Sequence, residues 1–355
     1  MKKIVTALCM AAVCTVLLQS SLAAANTADE NTHEASNGIQ YTLMQDGSYT
    51  VSGADSSITS LEIQSTFNDK PVKRIGFSAF ADCKELTRLV IADGVVSIQE
   101  KAFFNCEKLT DLALPKTLIS IGDMAFAGCK SLENITFNNG IEIIGEGAFA
   151  STGIKSASMP ESVMYIGKNA FGNSDIESVS FGSDVEFLRE NTFSDCEQLK
   201  DVILPDTFSK LSNMMFYNCF ALKSVVIPAS VTELRYDILP PVLDTLTIKS
   251  DIEYANASFL NGRKIGQIVF DSGVTVCRLE ISDKYSKPLL IEQIVFPDTT
   301  QIICGTFTPT ADTEICFGGT VEQWRGVISA STDLKHDFTH VKCTDGVWNA
   351  QEVTE

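Results

Sequence analysis

The stretch IGFSAFADCKELTRLVIADGVVS (75–97) runs directly into IQEKAFFNCEKLTDLALPKTLIS (98–120) and then IGDMAFAGCKSLENITFNNGIEI (121–143). Four further units open at Ile144, Ile166, Leu188 and Leu211, so the period is 22–23 residues. Self-similarity at a period of this size marks a solenoid, in which each unit buries its apolar face only against its neighbours.

The columns of the repeat each have a physical reading. Phe80, Phe103, Phe126, Phe149, Phe171, Phe193 and Phe216 fall five residues after the opening Ile or Leu. Stacked coil on coil, they form an aromatic spine. An L-x-x-L-x-L rhythm follows (Leu86, Leu89, Ile91; Leu109, Leu112, Leu114; Leu199, Val202, Leu204), and its final alternation predicts a short strand with one buried face. Pro115, Pro160, Pro205 and Pro228 end those strands, because proline cannot donate to a continuing ladder. Looser copies persist at Leu243/Leu246/Ile248, Ile265/Ile268/Phe270 (with Phe259 in the spine), Ile291/Ile294/Phe296 and Ile315/Phe317 (with Phe307). The stretch SDKYSKP (282–288) reads as a bulging insertion.

Upstream, Ile39–Met44 and Ser48–Ser52 flank Asp46-Gly47, a hairpin signal. The expected fold is a β-rich solenoid of about eleven coils of 20–27 residues, with short strands, helical turns and an N-terminal β-hairpin cap. The expected organisation is a leader over 1–25, a disordered linker over 26–37, a cap over 38–74, seven regular repeats over 75–233, irregular repeats over 234–320, and a C-terminal cap and tail over 321–355.

The leader reading rests on Lys2 and Lys3, the apolar run Ile4–Leu18, and Ala23-Ala24-Ala25 as a cleavage site. It predicts a protein outside the cytoplasm, secreted or at the cell surface, with no membrane insertion after cleavage. The whole chain of 355 residues carries 27 Lys+Arg against 45 Asp+Glu, a net charge of −18. Losing Lys2 and Lys3 deepens it to −20. Such a surface repels nucleic-acid backbones and anionic lipid heads.

With these residues the chain resembles the BspA-type leucine-rich repeat family. The resemblance is carried by the AF-x-x-C-x-x-L-x-x-I-x-I-P pattern, by STFNDKPVKRIGFSAF (65–80), and by FGGTVEQW (317–324) with VKCTDG (341–346). It implies a β-rich leucine-rich-repeat solenoid, exported by bacteria or displayed on microbial surfaces, with adhesion associated with several members. It brings no catalytic residues.

Nine cysteines follow the leader: Cys83, Cys106, Cys129, Cys196, Cys219, Cys277, Cys304, Cys316 and Cys343. The first five share one column, three residues after the spine Phe, and the two units lacking them (Thr152, Ser174) are one residue shorter. A thiol that travels with turn length reads as a small buried filler, so a ladder of unpaired thiols is expected. Cys277–Cys304 and Cys316–Cys343 stay open as bridges. His336, Asp337, His340 and Cys343 have ligand chemistry, but the strand-like Val341 and Lys342 would separate the rings, so no metal is expected and no cofactor is assigned.

In each strand the positions between buried residues face outward: Arg88/Val90, Asp111/Ala113, Asn134/Thr136, Ser156/Ser158, Ser178/Ser180, Asp201/Ile203, Ser224/Val226, Thr245/Thr247, Gln267/Val269 and Gln293/Val295. They form a continuous ribbon of small, mostly uncharged side chains on an acidic protein. Low charge reduces the desolvation cost of docking, so Arg88, Asp111, Asn134, Thr136, Ser156, Ser158, Ser178, Ser180, Asp201, Ser224, Thr245 and Thr247 are the candidate contact residues for a protein or peptide ligand. The ribbon holds no histidine, no aromatic and no close carboxylate pair, which leaves acid–base chemistry without a home there. The expectation is a non-catalytic exported interaction scaffold; its alternative is a structural, self-associating envelope protein.

Overall fold

The computed structural model of the chain describes residues 32–350 apart from 36, 256–258, 261, 280–289, 306–311 and 332–337. The leader, Phe307, the 282–288 insertion, His336 and Asp337 lie outside the described residues. The chain divides into two compact units, Met1–Ile176 and Glu177–Glu355, and both are built of β-solenoid coils.

In the first unit the coils build two walls of parallel strands. Ser60–Ile63, Arg88–Ile91 and Asp111–Ala113 pair in parallel with Leu61, Leu89 and Leu112 in register, so leucine sits beside leucine. The other wall is narrower, with Ser97–Ile98, Ser120–Ile121, Ile143–Ile144 and Tyr165–Ile166 in parallel pairs. The spine phenylalanines fill the turns at one end of the core, all fully buried. Ring centroids are 5.3 Å apart for Phe80–Phe103, 5.2 Å for Phe103–Phe126, 5.5 Å for Phe126–Phe149 and 5.4 Å for Phe149–Phe171, every pair stacked. Offset stacking of this kind adds to the burial of each ring.

The phenylalanine turns stay single turns because the chain twice enters the left-handed region. Ser78, Lys101, Met124, Gly147 and Asn169 do so three residues after the coil opener, and Asp82, Asn105, Gly128, Ser151 and Asn173 seven after it. Left-handed backbone is costly for most side chains. Coil-to-coil bonding offsets the cost, for the Ser78, Phe80 and Asp82 amides donate to the carbonyls of Glu100, Ala102 and Phe104 at 3.0, 2.8 and 2.7 Å. Close stacking also calls for glycine just after the opener of several coils: a Cβ on Gly145 would lie 2.6 Å from the Asp123 amide nitrogen.

At the start of this unit Gln40–Leu43 and Tyr49–Gly53 form an antiparallel hairpin, and Tyr49–Gly53 pairs in parallel with Lys70–Ile75. Asp46 organises the turn by accepting from the Ser48 amide at 2.9 Å and its hydroxyl at 2.6 Å. Hydrogen bonding to Ser48, helped by Arg74, holds the Asp46 carboxyl down at about 2. The linker reading fails at Thr32–Glu34, which add an antiparallel strand to Gln40–Leu43. The hairpin offers an open edge there, and His33 rests edge-on against Tyr49 at 5.8 Å.

A second departure lies in the third repeat: Asn134 and Thr136 are exposed but form no strand. The Lys155 amide still reaches the Glu133 carbonyl at 3.0 Å, yet the ladder lapses beside the first shortened coil. Asn138 closes this segment instead, donating to the Pro115 carbonyl at 2.7 Å and accepting from the Gly140 amide at 2.6 Å, a side-chain turn that competes with strand pairing.

The second unit opens with Ser178–Ser180 paired in parallel with Asp201–Ile203. A separate parallel sheet runs through Ser224–Ile227, Val242–Ile248, Lys264–Phe270, Leu290–Phe296 and Glu314–Phe317. His340–Cys343 joins its far side and turns back antiparallel into Gly346–Asn349. Three of these strands are seven residues long, against two to four in the regular repeats. Aromatic packing moves from the turns into the strands: Phe193–Phe216 still stack at 6.2 Å, but further along it is Phe270 and Phe296 that stack, at 5.5 Å. The helix Val321–Ala330, begun by a Thr320–Gln323 capping box, presses Trp324 and Val327 into this end of the core.

Among the described residues, no disulfide joins any of the nine cysteines. Cys106, Cys129 and Cys219 direct their thiols at the previous coil's spine carbonyls (Phe80, Phe103, Phe193) at 3.3, 3.3 and 3.1 Å. In the short coils Thr152 and Ser174 bond instead to their own coil's Phe149 and Phe171 carbonyls, at 2.8 and 2.6 Å. Register explains why the C-terminal thiols stay apart. Cys277 lies opposite Ile303, with Cys304 opposite Arg278, and Cys316 lies opposite Lys342 rather than Cys343. An offset of one residue sends two side chains to opposite faces of a sheet.

Candidate interaction surface

In the first unit the outward face is short and broken. Arg88 and Asp111 sit opposite each other in register and neutralise one another at 3.0 Å, both well exposed. Ser156 and Ser158 stand exposed on their own strand, whereas Asn134 and Thr136 belong to the lapsed segment. The expected continuous ribbon is therefore interrupted inside this unit, for want of a strand in the third repeat.

In the second unit Ser178 and Ser180 are half-buried opposite Asp201 and Ile203. Beyond them two straight columns share the outward face. One is polar, with Ser224, Thr245, Gln267, Gln293 and Glu314 in mutual register. The other is mostly apolar: Val226, Thr247, Val269, Val295 and Cys316. Thr245 and Thr247 thus lie on neighbouring columns of one sheet, both half-buried. Ile203, an equivalent position one repeat earlier, is 71% exposed, and Val226 is 42% exposed.

The polar column is wired through its side chains. Gln267 donates its amide to Gln293, Gln293 donates to Glu314 at 2.5 Å, and Lys342 donates to the second Glu314 oxygen. That lysine, followed by the Gln293 amide, holds the Glu314 carboxyl below its ordinary range, and Glu314 in turn raises Lys342. Gln293 also lies 3.5 Å from the Cys316 sulfur, whose thiol is pushed up chiefly by burial. Sequence reasoning missed Glu314 and Lys342. Column register is the signal that reaches Glu314. None reaches Lys342, which comes from a hairpin outside the repeat.

Among the described residues no three His, Cys, Asp or Glu side chains are grouped to hold a metal ion. No helix among them is long and apolar enough to cross a membrane.

The BspA type leucine rich repeat region matches the chain in six copies over residues 49–177 and 164–281. The chain belongs to this family. Among solved structures, this BspA-type protein is similar to the T. pallidum leucine-rich repeat protein TpLRR, with 28% identity over 54% of this chain and 91% of that one, and a TM-score of 0.49. It is also similar to a Bacteroides ovatus leucine-rich repeat protein (18% identity, 90% and 100% covered, TM-score 0.48). A third likeness is to the pneumococcal vaccine antigen PcpA (16% identity, 90% and 100% covered, TM-score 0.40). No curated relative matches.

Proposed function

We propose that this BspA-type protein is an exported, non-catalytic scaffold that binds a protein or peptide partner through its outward strand faces, with adhesion as its use. The observation that carries the reading is the outward face itself: parallel strands present low-charge side chains in register, including a mostly apolar row that is exposed at Val226 and half-buried beyond it, on a chain of net charge −18. Depleted charge at the centre of a patch is what distinguishes interfaces from ordinary surface. Repeat scaffolds put recognition on such surfaces because every coil adds another contact row. Adhesion and export follow from the family resemblance and the leader pattern. A non-catalytic role fits a face whose described charges are spread out or already paired.

The test is capture of extracellular-matrix and cell-surface proteins by residues 26–355, beside a variant with Ser156, Ser178 and Ser224 changed to Lys. Capture by the parent and loss in the folded variant supports the reading. Equal capture by both moves the site off the strand faces, and no capture by either removes the reading. Light scattering over a concentration series addresses the self-associating alternative, for which a strictly monomeric chain would be decisive against.

A further inference from the structure

Resting on the outward strand face as the partner-binding face, we propose that its second-unit portion receives an amphipathic α-helix with a basic flank. The argument is one of spacing and of hydrogen-bonding character.

The mostly apolar column Val226–Thr247–Val269–Val295–Cys316 crosses five hydrogen-bonded strands. Neighbouring strands lie about 4.8 Å apart, so the column offers one side chain every ~4.8 Å over roughly 19 Å. An α-helix laid along it repeats its apolar stripe every ~5.4 Å, and an extended peptide every ~6.8 Å. Over four intervals the helix drifts by about 2 Å and the strand by about 8 Å. A helix keeps its i, i+3/i+4 side chains in contact along the whole column. An extended segment loses register after the second coil. The column is flanked, not capped: the polar ladder runs beside it and the exposed Ile203 extends the apolar character one repeat earlier.

The polar side sets the charge of the ligand. Both ladder glutamines direct their amide N–H groups towards Glu314, which leaves the Gln267 carbonyl as the outer acceptor of a polarised chain. Glu177, Glu292 and Glu314 each hold a lysine, at 2.7 Å (Lys200), 3.8 Å (Lys264) and in close contact (Lys342). Asp201 and Asp244, exposed on the same side, have no ion pair among the described residues. Of the nearby lysines, Lys223 turns its ammonium to the Phe220 carbonyl and Lys249 lies past the far end of its strand. The flank therefore offers acceptors and unpaired carboxylates, which Lys or Arg on a partner helix would satisfy.

The probe is a designed peptide of about 18 residues with Leu at helical i, i+3/i+4 spacing and Lys along one flank, followed by fluorescence anisotropy against residues 26–355. Two companion peptides carry Glu for Lys, or a central Pro that breaks the helix. The basic helix is expected to bind, and both companions to bind at least about tenfold more weakly, a difference of about 1.4 kcal/mol. Val269→Asp and Val295→Asp are expected to weaken binding by about tenfold although they add negative charge, which separates the apolar contact from electrostatic attraction. Glu161→Gln, at an exposed position of the first unit away from the strand faces, should change nothing, and circular dichroism checks that each variant is folded. Equal binding of the Pro-broken peptide, or unchanged binding by both Asp variants, overturns the proposal. If no peptide binds while capture of a panel protein is still lost on changing Ser178 and Ser224, this inference fails and the broader reading stands.

Discussion

The two units solve the same packing problem with different parts of the coil. In the first, aromatic rings stack in the turns, the strands of the regular repeats are two to four residues long, and the outward face is short and interrupted. In the second, strands lengthen to seven residues, Phe270 and Phe296 stack from within the sheet, and the outward face becomes two unbroken columns. Where rings in the turns carry the core, the strands need supply only a rung or two each. Where the sheet carries the core, it must be wide, and a wide sheet also presents a wide outer face. A broad outer face is thus a by-product of moving the aromatic packing.

The sharpest break of this comparison is Phe126→Ala. The ring is fully buried between two stacked neighbours, and its removal is expected to cost about 3–5 kcal/mol, read as a fall in the urea midpoint. Ile203→Ala on the outward face of the second unit should stay within about 0.5 kcal/mol in the same experiment, because the side chain is 71% exposed. A large loss at Ile203 would show that this face serves folding rather than binding.

Thr152→Val comes next. It keeps the shape but strips the buried bond to the Phe149 carbonyl, so a loss of about 1–3 kcal/mol is expected. The full-length coils, with Cys in this place, gain nothing from a hydroxyl: Cys129→Thr should destabilise rather than stabilise. A stabilised Cys129→Thr would show that turn length does not select the residue.

Thiol titration compares the two units without mutation. Burial pushes Cys83 up to about 11 and Cys277 up to about 12, and raises Cys219 as well. In the folded 26–355 chain at pH 8, Ellman's reagent should reach only the half-buried Cys304, Cys316 and Cys343, all from the second unit. In urea all nine should react. Rapid reaction at Cys106 or Cys129 in the folded chain would show that the first-unit column opens.

A small effect, and one that depends on pH, is expected at Asp46. Its carboxyl is held at about 2, below the ordinary range near 3.9, so its contribution is complete above that range and is lost as pH falls towards 2. The group is partly exposed, so solvent screening limits the contribution to about 1 kcal/mol at most. Asp46→Asn should therefore be slightly less stable than the parent at pH 7 and equal to it near pH 2. A difference that persists at pH 2 would assign the effect to turn geometry rather than charge.

The seven-phenylalanine column, the strand alternation and the thiol column were legible because each is set by a contact between equivalent positions of neighbouring coils, and such contacts recur with the period. The Thr32–Glu34 strand was not legible: polar and three residues long, it owes its conformation to the edge of a hairpin rather than to its own pattern. The lapse at Asn134–Thr136 was hidden for the opposite reason, since its repeat pattern is intact and the loss comes from a shortened neighbour and the Asn138 turn.

By itself the sequence determined the solenoid, its buried phenylalanine spine and the acidic balance, because these depend on periodicity and composition alone. Only the tertiary structure decided which thiols oppose one another, where the outward face is broken, and that Lys342 completes the Gln267–Gln293–Glu314 ladder. These depend on register between strands 21 to 28 residues apart, and a shift of a single residue would send every side chain concerned to the other face.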